Sequence, residues 1–271
     1  MASEVSLEGI KKAVFFPFRG KNWSDKVLIG AAINFANFII PLIPMILLMG
    51  YFGKMMNRIL LHDEDPALPE WNDWGTCFLD GFRMFGVFVV YTLPGALVAF
   101  FGYVLFFLVG FGINLLALAS PNGNSTTLIP FDTGLGAAFF GMFGGMFFLW
   151  TGVFIFFVSM LFYEPAIGNC IAKGSFAAAF RFKEWWPVFK ANLSGYLLVF
   201  TLMFGLSYAL IILVQFFYLT VVLCILLPFA FGFAGFVIGG AGYSLYAIAY
   251  RDGVRKLAGT WLDQPGKQKA A

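Results

Sequence analysis

Asn34-Phe35-Ala36-Asn37-Phe38-Ile39-Ile40-Pro41-Leu42-Ile43-Pro44 forms the centre of the first long apolar tract, Val27–Gly50, and the way that tract meets a membrane decides the fold. Pro41 and Pro44 remove helical hydrogen bonds and clash with the preceding turn, so the middle of the tract reads as a break. Its 24 residues are too few for two spans of about 20 residues each. They suffice for a shallow hairpin that enters and leaves on one face. The charge pattern favours the hairpin. All 17 Lys and Arg residues fall in four gaps between apolar tracts: residues 1–26, 51–84, 164–192 and 251–271. Short cytoplasmic loops of membrane proteins collect Lys and Arg. A single crossing by Val27–Gly50 would split these charges twelve against five, whereas a re-entrant hairpin keeps all of them on one side. The alternative is one Pro-kinked span with a basic end translocated. Non-helical backbone at membrane depth has to be buried by other protein, so the hairpin is expected to pack against the remaining helices.

Four further tracts, 85–119, 134–163, 193–217 and 220–250, are long enough to cross the bilayer as helices. The chain is 61% hydrophobic and 11% charged, with a mean hydropathy of +0.85; soluble domains carry about 25% charged residues. Residues 120–133 form the external loop, without Lys or Arg, and Pro94-Gly95 marks a kink or lead-in helix. Asn124-Ser125-Thr126 matches a glycosylation sequon, a short pattern that chance also produces. The net charge of +3 reads as positive-inside bias and contact with anionic inner-leaflet headgroups, not as a nucleic-acid surface. No apolar h-region with a small-residue cleavage site follows the first positive charges, so residues 1–26 do not read as a cleavable signal peptide. Cys77, Cys170 and Cys224 lack CxxC spacing and are expected as free thiols.

The cytoplasmic gaps are more than linkers. In residues 50–61 and 171–189, apolar residues recur at helical spacing beside Lys54, Arg58, Lys173, Arg181 and Lys183, with Trp185-Trp186 in the second segment. Basic helices of this kind lie flat at the headgroup level. Phe15, Phe16 and Phe18 behind Lys11-Lys12 suggest a third such segment.

Catalytic chemistry is sparse. The four spans contain no Asp, Glu, Lys, Arg or His, which argues against a proton-coupled pump. Asn114 and Gln215 read as interhelical hydrogen-bonders. Glu164, ahead of Pro165, reads as an interfacial acid with a nearby cation as partner. His62-Asp63-Glu64-Asp65 clusters metal-ligating residue types but lacks a second His at helical spacing, and reads as a solvated acidic turn. No nucleophile–base pair, P-loop or dinucleotide fingerprint occurs, so no enzymatic activity, cofactor or metal is expected. Glycine supplies 31 residues, and Gly141/Gly145 and Gly235/Gly239 have the small-xxx-small spacing that lets helix backbones approach. Packing within the chain is the first reading of these pairs and self-association the second.

The most specific stretch runs Gly50-Tyr51 … Arg58, Pro66-Ala67-Leu68-Pro69-Glu70-Trp71-Asn72-Asp73-Trp74, Asp80-Gly81, and Tyr91-Thr92-Leu93-Pro94. It resembles the uncharacterised prokaryotic membrane family called domain of unknown function 4013. The resemblance implies a bacterial or archaeal integral membrane protein and carries no activity. Physically, Pro66 and Pro69 force an extended turn, Trp71 and Trp74 anchor it at the interface, and Gly81 allows close packing beneath it. Pro66, Pro69, Glu70, Trp71, Asp73 and Trp74 therefore form either a lid over the hairpin or a docking turn for a protein partner.

The expected fold is a single all-α membrane domain: four transmembrane helices, an N-terminal re-entrant hairpin and cytoplasmic amphipathic helices, with both termini cytoplasmic. The expected role is a non-enzymatic accessory or scaffolding subunit, or a membrane-shaping protein of the cytoplasmic membrane. Its expected contacts are membrane lipids, and a protein partner or a second copy through the Gly-rich helices. The alternative is a transporter or channel for a small neutral or lipophilic solute, with Asn34, Asn37, Pro41 and Pro44 at the broken segment.

Overall fold

The computed structural model describes residues 11, 12, 14–112, 131–218 and 226–262. Asn114, the Asn124 sequon, Cys224, most of the 120–133 loop and the turn after Tyr218 lie outside the described residues. Among the described residues seven helices follow one another: α1 Trp23–Ala36, α2 Ile43–Leu61, α3 Trp74–Leu105, α4 Phe131–Ala172, α5 Phe182–Ala191, α6 Leu193–Tyr218 and α7 Leu227–Leu262. A π-helical stretch, Phe106–Phe111, continues α3, and short 3-10 turns lie at Phe16–Phe18 and Phe176–Phe180. No strand occurs among the described residues.

Among the described residues four stretches of helix are long and apolar enough to cross a membrane: Trp74–Val109, Phe139–Ala172, Leu193–Phe216 and Leu227–Gly259. They fall on the four tracts picked out by hydropathy, but three of them extend further. Helix α3 starts at Trp74 because Asp73 caps it, its Oδ1 accepting the Thr76 N–H at 3.3 Å. Helix α4 runs through Glu164 and Pro165 to Ala172, and α7 continues past Tyr250 through Arg251, Asp252, Arg255 and Lys256. Hydropathy marks where the apolar run ends, not where the helix ends.

The chain divides into two compact units, Met1–Val87 with Glu164–Ala271, and Phe88–Tyr163. In the first, α7 is the hub: α1, α2, α5 and α6 all pack on it. Half of its apolar window is buried, against 17% or less in the other three, which marks it as the internal helix. The α1–α7 seam is glycine-lined, with Gly30 under the Phe236 ring, Gly232 against Ala31 and Phe35, and Phe35 stacked on Phe229 at 4.8 Å. Trp185, Val188 and Phe189 of α5 are buried, with the Trp185 indole donating to the Ala179 carbonyl at 3.0 Å, while Lys183 and Lys190 stay exposed.

The second unit is a pair of segments packed backbone to backbone. Gly95, Ala99 and Gly102 of α3 lie at spacings of four and three residues, on one helical face. They meet Phe156, Gly152, Leu149 and Gly145 of α4 so closely that a Cβ at Gly95, Gly102, Gly145 or Gly152 would strike backbone atoms. Small residues are what permits such an approach between apolar helices. Large side chains such as Phe100, Phe140, Phe143, Phe147 and Phe154 point outward and are exposed.

Candidate functional site

Two glycines set the geometry at the polar end of the first unit. A Cβ on Gly50 would overlap the Cys77 carbonyl oxygen, and one on Gly81 would overlap the Ile46 carbonyl oxygen. Helices α2 and α3 therefore cross with their backbones in contact, possible only without side chains at both positions. Next to the crossing, Tyr51 is wholly buried. Its hydroxyl donates to the Pro69 carbonyl at 2.8 Å, and its ring stacks on Trp71 with centroids 3.7 Å apart. Burial holds the Tyr51 phenol well above the usual tyrosine range, so it is a neutral donor.

The connector after α2 closes over this crossing and reaches back to the start of α1. The Trp71 indole N–H donates to the Lys26 carbonyl at 3.1 Å, while Lys26 Nζ donates to the Leu68 carbonyl at 3.0 Å and pairs with Glu70 at 2.6 Å. Leu68 and Pro69 are buried beneath. The Thr76 amide and hydroxyl hold the Asp73 carboxyl below the usual range. Of the six turn residues expected to lid the hairpin or dock a partner, Pro69, Glu70, Trp71 and Asp73 are engaged inside the chain, Pro66 is half-buried, and the exposed Trp74 stacks on Trp71 with centroids 5.3 Å apart. Asp63 of the acidic turn accepts from Arg251 at 2.8 Å and from Arg255 at 2.6 Å, tying the connector to α7.

The hairpin break falls at residues 37–42, between α1 and α2, where Leu42 adopts φ +76°. Asn34 Nδ2 donates to the carbonyls of Phe231 and Gly232 on α7 at 3.2 and 3.1 Å, and Asn37 Nδ2 donates to Asn34 O and Oδ1 at 3.3 and 3.2 Å. Pro41 is exposed in the break and Pro44 is buried in the first turn of α2. The structure thus brings Asn34 together with Gly235, whose absent side chain leaves room for the amide, and sets Gly239 against the Phe52 ring. Gly145 lies against the Phe106 backbone, and Gly141 is buried. Gln215 is exposed on α6.

Beside the Gly50/Gly81 crossing opens a pocket of about 250 Å³ between α2, α3 and the end of α4. Lys54, Asn57, Thr76, Asp80 and Arg83 give it polar walls, with Met84 and Cys170 among its apolar lining. Arg83 pairs with Asp80 at 3.2 Å, and Lys54 Nζ donates to Asn72 Oδ1 at 3.3 Å. Sequence reasoning missed this pocket, because its polar residues come from segments that read as a headgroup-level helix and a turn. The signal available was the spacing of Thr76, Asp80 and Arg83, which share one helical face.

Further along, Asn169 is a buried junction. Its Nδ2 donates to the Ala178 carbonyl at 2.8 Å and to Glu184 at 3.0 Å, and its Oδ1 accepts from the Tyr250 hydroxyl at 3.1 Å. Lys173 pairs with Glu184 at 2.9 Å, and the bonds from Asn169 and Lys173 hold that carboxyl below its usual range. Asn192 does the same for α5 and α7, donating to the Ala249 carbonyl at 2.9 Å and accepting from Lys256 at 2.8 Å. Neither asparagine stands out in the sequence, since each follows an apolar or aromatic run like many others.

Neither the curated proteins nor the solved structures contain a match to this chain. A family model does match, over residues 33–219, a stretch that takes in the hairpin break, the crossing, the connector turn and the first three long apolar helices. The chain belongs to the family described as Protein of unknown function (DUF4013).

Proposed function

We propose that the chain is a non-enzymatic scaffold that occupies mainly the cytoplasmic leaflet of a prokaryotic cytoplasmic membrane, with both termini on the cytoplasmic side. The observation that carries this reading is the contrast between the two ends of the α1–α2 hairpin. At its tip, Phe38, Ile39, Ile40, Leu42 and Ile43 are 53 to 71% exposed, a surface suited to hydrocarbon and not to water. At its base, Lys26, Glu70 and Trp71 tie the start of α1 to the connector beyond α2, so both arms begin and end together. Helix α1 rises about 21 Å and α2 about 17 Å from the break to Lys54, less than the hydrocarbon core of about 30 Å. A hairpin of that depth enters one leaflet and returns. Residues 88–163 contain neither Lys nor Arg, in keeping with a charge-poor opposite face. With α5 and the Phe16–Phe18 turn at the headgroup level, the inner leaflet would hold more protein than the outer one, the condition for bending a bilayer or organising partners on it.

Reconstitution tests this. Liposomes of anionic lipid carrying the full-length chain should become smaller or tubular, or the chain should crosslink to a stoichiometric protein partner in its native membrane. Unchanged vesicles and no partner after mild crosslinking would sink the scaffold reading. The transporter or channel alternative gains less support, because Asn34 already spends its amide on two α7 carbonyls.

A further inference from the structure

The pocket between α2, α3 and the end of α4 has donors that the fold leaves unspent. Lys54 gives one of its three N–H bonds to Asn72, Arg83 reaches Asp80 through one nitrogen of its fork, and the Asn57 amide has no hydrogen-bond partner among the described residues. Two cations and an amide thus face a single carboxylate, Asp80, leaving the pocket net positive. Deeper in, Gly53, Met84, Cys170 and Ile171 offer no charge. Around α3, the pocket-lining Thr76, Asp80 and Arg83 alternate with Leu79 and Phe82, which are exposed apolar side chains. A free anion would meet only the donors. An anion carrying acyl chains would meet both surfaces at once.

We infer that this pocket binds the phosphate of an anionic phospholipid headgroup, with the acyl chains lying along Leu79 and Phe82. Lys54 and Arg83 supply the charge-assisted hydrogen bonds, and Asn57 adds a neutral donor. Pockets of this kind between membrane helices on the cytoplasmic side recognise anionic headgroups. Asp80 orients the Arg83 fork and limits the positive charge, so a lipid with a net negative headgroup is favoured over a zwitterionic one. The inference rests on placing this end of the helices at the cytoplasmic leaflet.

The test uses the full-length chain, exchanged into neutral detergent and titrated with phosphatidylglycerol, phosphatidylcholine or inorganic phosphate, with binding read by native mass spectrometry. Phosphatidylglycerol should bind at least about tenfold more tightly than phosphatidylcholine, and Lys54→Gln with Arg83→Gln should weaken it about a hundredfold, about tenfold for each charged hydrogen bond lost. Lys190→Gln, at an exposed lysine of α5, should leave it unchanged. Unaltered binding in the double variant would overturn the assignment. So would displacement of the lipid by inorganic phosphate at similar concentration, which would mark a free-anion site. Should the double variant fail to fold, photoactivatable phosphatidylglycerol on the unaltered chain decides: crosslinks in residues 53–57 and 76–84 support the site, and crosslinks only elsewhere overturn it. Lipid binding with neither vesicle deformation nor a crosslinked partner would sink the scaffold reading alone, and deformation without pocket selectivity would sink only this inference.

Discussion

Gly50 and Gly81 bear on stability more directly than any charged residue does. Their missing side chains let two backbones touch, and a methyl at either site meets carbonyl oxygens, not a movable side chain. Gly81→Ala should therefore cost at least about 1–3 kcal/mol, the usual range for overpacking. Gly75→Ala, in the same helix with open space around it, should be neutral or stabilising by up to about 1 kcal/mol. Thermal midpoints of the two variants in one detergent check this, and equal loss in both would contradict the crossing. Tyr51→Phe removes the hydroxyl from a buried site and leaves the Pro69 carbonyl without its donor, a loss of about 1–3 kcal/mol readable by the same melt. Glu184 predicts a pH dependence. Its folded pKa lies below its unfolded value, so the stability it supplies is complete above the unfolded value of about 4.3 and is lost as pH falls through the lower folded value. Glu184→Gln should flatten that part of the melting-temperature profile.

At the scale of elements, the long helices were legible and their ends were not. Apolar length located each of the four helices long and apolar enough to cross a membrane, because a lipid-crossing helix demands an uninterrupted run of apolar side chains. The first turns of α3 and the last turns of α4 and α7 were hidden, because a helix passes from lipid to water without changing its backbone. A break near Pro41 was readable from proline chemistry, although Pro44 sits inside the first turn of α2, and the use of Asn34 was not readable: its partners are backbone carbonyls of α7, almost two hundred residues away in the chain. Gly141, Gly145, Gly235 and Gly239 stood out by their four-residue spacing, whereas Gly95 and Gly102, seven apart with Ala99 between, did not. That seam makes its own prediction. Gly152→Val places a branched side chain against the Ala99 backbone and should lower the thermal midpoint, while Gly136→Val, where nothing lies within 4 Å, should leave it nearly unchanged apart from a small propensity effect.

For the whole molecule, the motif that resembles a known family proves to be one connected device. Gly50 and Gly81 cross, Tyr51 and Trp71 stack over the crossing, Asp73 caps the next helix, and Lys26 fastens the turn to the start of α1. The candidate pocket sits beside this device, and nothing in the linear sequence placed Lys54, Arg83 and Cys170 around one space. The account's central claim is that the α1–α2 hairpin enters and leaves the same leaflet. Single-cysteine labelling tests it, in a chain whose three native cysteines are replaced by alanine, using a membrane-impermeant maleimide on right-side-out and inside-out vesicles. Lys21→Cys and Glu64→Cys should react from one side, the side that also exposes Lys183→Cys, while Ile39→Cys reacts from neither. Labelling of Lys21→Cys and Glu64→Cys from opposite sides would mean a full crossing and would contradict the account.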